Sequence, residues 1–133
     1  MSALWEVQVA TYDALVANST LMSLISSRIY DEPVTNDVYP YIVVGDVIEI
    51  NDNRLNNKGF EMDALVRIYT KPGRLGFYES KKILEQVNAS LNLVSLPLTN
   101  FNMVKCMNIQ NSTSKFDDKR SIDARYQIWV SAK

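Results

Sequence analysis

The chain has 133 residues, a length that suits one domain (1–133) burying roughly 65–70% of its unfolded surface, with no metal or disulfide needed to hold it. Its net charge of −1, from 14 Lys and Arg against 15 Asp and Glu, argues against a nucleic-acid protein working by blanket phosphate neutralisation and leaves room only for a local basic patch. Histidine is absent, which removes the commonest general base, the usual triad partner and the commonest metal ligand together, so any catalysis would rest on carboxylates, Lys or Tyr.

From Leu4 to Ala17 the apolar residues fall on two sides of a helix: Leu4, Val7, Thr11, Ala14 and Leu15 on one, Trp5, Val9, Tyr12 and Val16 on the other. The second side is either core or a subunit contact, and the core reading is the expectation here. Asn18-Ser19-Thr20 breaks this helix and caps a short helical turn through Leu21, Met22, Leu24 and Ile25. A short strand follows at Arg28–Tyr30, then an exposed connection bracketed by Pro33 and Pro40. Tyr41 to Ile50 is β-branched and apolar on both faces, the pattern of a central strand covered twice.

The polar run from Asn51 to Gly59 reads as a long hairpin tip carrying Arg54 and Lys58. Beyond it Phe60, Met62, Ala64, Val66 and Ile68 alternate strictly with Glu61, Asp63, Leu65, Arg67 and Tyr69, which predicts an antiparallel partner strand. Lys71-Pro72-Gly73 ends that strand, and Phe77, Ser80, Ile83, Leu84, Val87 and Leu91 mark an amphipathic helix up to about Asn92.

The last third repeats the hairpin. One strand places Met103, Lys105, Met107 and Ile109 against Val104, Cys106, Asn108 and Gln110; the other places Ile122, Ala124, Tyr126, Ile128 and Val130 against Asp123, Arg125, Gln127 and Trp129. Between them Asn111 to Ser121 is charged and nearly free of apolar residues, and reads as a second long, mobile loop with Lys115, Phe116, Asp117, Asp118, Lys119 and Arg120 at its centre. Cys106, the only cysteine, is expected to be a small buried hydrophobe in a reducing compartment. The sum is an α+β fold: a mostly antiparallel sheet with two main helices packed on it and two long hairpin loops.

Few of these residues carry chemistry. Glu61 and Asp63 face one side of a strand about 7 Å apart, a spacing for a divalent metal, though the wet face of a half-buried strand accounts for them better. Gly73-Arg74-Leu75-Gly76 before a helix lacks the ending of a phosphate-binding loop and is read as an ordinary tight turn. Neither a cofactor nor a metal is expected. The first residues show no basic n-region with an apolar run behind it, and no apolar stretch approaches the roughly 20 residues of a membrane helix, so a soluble, cytoplasmic protein is expected. The two hairpin tips are either solvated ends or segments that order against partners, since loops of this length in compact domains are usually functional or disordered.

The run Arg28-Ile29-Tyr30-Asp31-Glu32-Pro33, followed by Tyr39-Pro40-Tyr41-Ile42-Val43-Val44-Gly45, sits between helical patterns and ahead of a hairpin, a helix and a closing strand pair. In this order the chain resembles the tail completion, or tail terminator, proteins of long-tailed phages, and among them the tail-to-head joining branch of Bacillus siphophages. The resemblance spans almost the whole chain. It implies a structural virion protein and no enzyme: several copies, six by family habit and monomeric when free, would form a ring on the head-proximal end of the tail tube. The implied partners are the tail tube protein and the head connector or neck protein, with assembly in the host cytoplasm. A head-side adaptor, a tube subunit and a small carboxylate-metal enzyme are the alternatives. The tip residues Arg54, Lys58 and Lys115 to Arg120 are then candidate partner contacts, and Arg54, Lys58 and Lys119 candidates for touching DNA in the lumen.

Overall fold

A computed structural model describes residues 4–31, 38–51, 59–72, 76–116 and 119–132. Within them the chain runs α1 (Leu4–Val16), α2 (Ser19–Ile25), β1 (Ile29–Tyr30), β2 (Tyr41–Asn51), β3 (Gly59–Thr70), α3 (Gly76–Leu91), β4 (Phe101–Lys115) and β5 (Arg120–Ala132). The strands make one sheet in the order β1-β2-β3-β5-β4. It is antiparallel throughout except that β1 lies parallel to β2. The α+β class expected from the sequence is the one observed.

Alternation decides which strand residues meet the helices. Met62, Ala64, Val66 and Ile68 of β3 and Ile122, Ala124, Tyr126, Ile128 and Val130 of β5 are each no more than 3% exposed. They pack with Val7, Leu15, Leu21, Ile25, Ile83, Val87 and Leu91 of the helices in one core. Each large apolar side chain so buried stabilises the fold by about 1.5–3 kcal/mol relative to exposure.

The helices follow from caps and spacing. In α3, Ser80, Ile83, Val87 and Leu91 are buried at helical intervals, and the Ser80 hydroxyl satisfies itself on the Phe77 carbonyl (3.1 Å). Asn18 caps α2 by accepting the Leu21 amide (3.0 Å), and its amide group donates to Gln86 O and Ser90 Oγ of α3. One side chain therefore starts a helix and ties it to another. Arg28, in the short Arg-Ile-Tyr element, donates to Pro40 O (2.9 Å) and Tyr39 O (3.0 Å), which pins the start of β2 beside β1.

Four expectations need correction. Trp5 and Val16 are not core: they are 67% and 42% exposed, and only Tyr12 of that side is half-buried against the core. The buried stripe is Val7, Ala10, Thr11 and Leu15, and Trp5 lies about 200° around the helix from Val7. The hydroxyl of Thr11 is tolerated inside because it donates to Val7 O (2.8 Å).

Secondly, β2 is covered on both faces only at its start. Tyr41 to Val44 are buried, but β1 pairs only with Ile42 and Val43, and Ile48 is 61% exposed. Thirdly, β4 does not alternate evenly. Extra residues at Val104 and Ile109 bulge the strand, so Phe101 and Met103 are buried before the first bulge and Cys106 after it, while Val104 and Ile109 point to solvent. Cys106 is buried as expected.

The second hairpin loop is also shorter than the sequence suggested. β4 and β5 stay paired through Asn111↔Ala124 to Lys115↔Arg120, and the Phe116 amide donates to Lys119 O (2.9 Å). The hairpin remains and its loop shrinks to a tip, because backbone pairing continues where side chains have nothing to bury. Arg54, Lys58, Gly73 to Leu75, Asp117, Asp118 and most of the connection from Pro33 to Pro40 lie outside the described residues.

Candidate assembly interface

The four described residues of the second tip are brought together. Lys115 and Phe116 are exposed, Phe116 at 48%. Lys119 holds its ammonium 4.8 Å from the Tyr69 ring centre and 5.4 Å from that of Phe116, a cation between two aromatic faces. Arg120 donates to Phe116 O (2.7 Å) and to Lys119 O (3.1 Å). Two of the expected contact cations are thus engaged by the tip and by the neighbouring strand β3, and among the described residues of the tip Lys115 and Phe116 are the exposed ones.

Beneath the tip lies an aromatic cluster that sequence reading did not assemble. Tyr41 lies tilted against Tyr69 (4.9 Å between ring centres) and Tyr39 (5.5 Å) and meets Tyr30 edge to face (5.9 Å). The tyrosines come from β1, β2, β3 and the approach to β2, and register joins them: Tyr41 opposes Tyr69, which opposes Ser121 next to the tip. No local motif signals this, since the members are spread over about 40 residues.

The sheet face away from the helices carries a mixed polar surface. Glu61 accepts from the Gln127 amide, Lys105 donates to Gln127 Oε1 (3.4 Å) and lies 5.2 Å from the Trp129 ring centre, and Arg67 stands 4.0 Å from Asp123. The indole Nε1 of Trp129 is buried without an acceptor among the described residues. Glu61 and Asp63 do share this face, but no group of three or more His, Cys, Asp or Glu side chains among the described residues is placed to hold a metal ion.

On the helical side, exposed Trp5 separates two grooves. One, of about 630 Å³, runs between α1 and residues 97–100. The other, of about 260 Å³, lies between α1 and Ile29 to Asp31. Glu6 closes the floor of the first by accepting the amides of Thr99 (2.7 Å) and Asn100 (2.9 Å). No described helix is long and apolar enough to cross a membrane.

Residues 9–131 match the family model described as tail completion protein gp17. The chain belongs to that family. No curated protein matches it. Among solved structures, a chain from the virion of a native gene transfer agent particle is 23% identical, with 98% of each chain covered and a TM-score of 0.83. The gp17 protein of bacteriophage SPP1 is 20% identical over 98% of this chain and 91% of that one, with a TM-score of 0.49. The first of these likenesses shows a common fold over the whole chain. Membership makes this a tail completion protein.

Proposed function

We propose that this protein closes the head-proximal end of a finished tail tube as a ring, with the tail tube protein on one side and the head connector on the other. The observation that carries the reading is the family match over residues 9–131, supported by a fold shared with a virion chain along its full length. Copies number six by family resemblance and are single before assembly. The work is structural: a rigid sheet with helices on one face acts as the wedge, and the tip at Lys115 to Arg120 makes contacts whose mixed charge selects partner and register more than it adds affinity. Arg54, Lys58 and Lys119 are assigned to DNA passing through the lumen; Lys119 already sits over two rings, so its contact would be through a partly shielded charge.

The test is to mix the purified protein with headless, unterminated tails and locate it by labelled negative-stain electron microscopy. Label at one tail end is expected. Label along the tube, or on heads, would replace this reading with a tube subunit or a head-side adaptor.

A further inference from the structure

Strand edges invite pairing with another strand, and folded proteins blunt them with lysines, prolines, bulges or a covering segment. β4 is blunted in this way over its first half. Bulges sit at Val104 and Ile109, the Leu93 amide donates to Cys106 O (2.7 Å), and the Asn108 amide donates to Asn92 Oδ1 (2.9 Å). From Gln110 to Ser114 there is no charge, no proline and no bulge, and no covering segment among the described residues. All of these residues are exposed except half-buried Ser114.

Pairing with β5 shows which backbone groups this edge offers. The Phe116 and Lys119 pair is hydrogen-bonded, so antiparallel alternation makes Ser114↔Ser121 and Ser112↔Asp123 bonded pairs as well. Asn111, Thr113 and Lys115 fall in the intervening pairs. Their N–H and C=O groups point away from β5, out of the sheet.

The opposite edge of the sheet has a matching gap. β1 covers β2 only at Ile42 and Val43, and from Asp46 to Asn51 the strand pairs with β3 alone among the described residues. The two bare stretches lie on opposite edges and towards opposite ends: Ser114 is level, through Ser121, with Tyr69, whereas Ile50 is level with Glu61.

We propose that, within the ring inferred above and resting on that reading, Asn111–Lys115 of one copy adds as a strand to Asp46–Asn51 of the next. Two different edges joined in this way make a head-to-tail contact, the kind that closes a ring; β4 pairing with a second β4 would stop at two copies. Charge agrees with the choice. Residues 46–51 contain Asp46 and Glu49 and no base, while 111–115 contain Lys115 and no acid. The ring is then a sheet continued from copy to copy, and the tip beside Lys115 sets where the added strand ends.

Two experiments test it. Thr113→Pro deletes an outward N–H and leaves the β5 ladder intact, whereas Ser114→Pro removes a ladder bond and reports damage to the fold. The Thr113→Pro protein is expected to melt as the wild type does and to fall at least about tenfold in occupancy of tail ends. Hydrogen exchange on the unmodified protein, free and assembled on tail ends, keeps the test valid if that variant misfolds. Peptides spanning 46–51 and 109–115 should both slow on assembly. Wild-type occupancy by folded Thr113→Pro, or slowing in only one of the two peptides or in neither, overturns the edge contact. Wild-type protein absent from tail ends refutes the ring itself, a result distinct from a ring whose 109–115 amides exchange as freely as in solution.

Discussion

Raising the pH should destabilise this protein through one thiol. Burial pushes Cys106 up from 9.0 to about 11, because a thiolate beneath the helices would have no water around it. Below the unfolded value both states hold the proton and the group contributes nothing to the pH dependence. Between 9.0 and about 11 the unfolded chain releases the proton and the folded chain does not. Each unit in that window costs about 1.4 kcal/mol, so the loss approaches about 2 kcal/mol at about pH 10.5 and levels off above the folded value. Tyr126 is raised too, first by burial and then by the neighbouring thiol, and adds to the same alkaline slope. The measurement is a difference between two proteins: guanidinium unfolding of wild type and Cys106→Ala, followed by tryptophan fluorescence, at about pH 8 and about pH 10.5. The substitution carries a constant cost from its small cavity. Between the two pH values the variant should gain on the wild type by about 2 kcal/mol. Parallel loss of stability in both proteins would show that the thiol ionises as easily in the fold as outside it, and would refute the burial argument.

Two further outcomes follow from local geometry. Asn18→Ala removes a helix cap and the tie to Gln86 and Ser90, and should cost about 1–2 kcal/mol in thermal or chemical unfolding, while Asn18→Asp, which keeps the acceptor and loses the donor, should fall between the two. Trp5→Ser should change stability by less than about 0.5 kcal/mol because the side chain is 67% exposed, and any loss of tail-end binding would then report an interface on α1.

The residues of β3, β5 and α3 could be assigned faces from the sequence because each has one clean period and one apolar side. Met62 to Ile68 and Ile122 to Val130 alternate, Ile83, Val87 and Leu91 recur by turns, and the structure buries all of them. The asparagine before α2 was legible for the same kind of reason, since capping is decided within a few residues.

What tertiary structure decided was every choice between alternatives of similar local character. α1 offers two apolar sides, and the sheet can cover only one, so Trp5 is left in solvent. A bulge costs one residue and leaves no mark in composition, yet those at Val104 and Ile109 reverse which residues of β4 face the core. The polar run from Asn111 to Lys115 lacks side chains to bury and therefore any periodic signal, while its backbone still pairs with β5. Tyr30, Tyr39, Tyr41 and Tyr69 meet only because strand register brings distant segments side by side. Sequence determined the elements and their inner faces, where hydrophobic period is a local property; the interface depends on edges, bulges and register, which exist only once the strands have found one another.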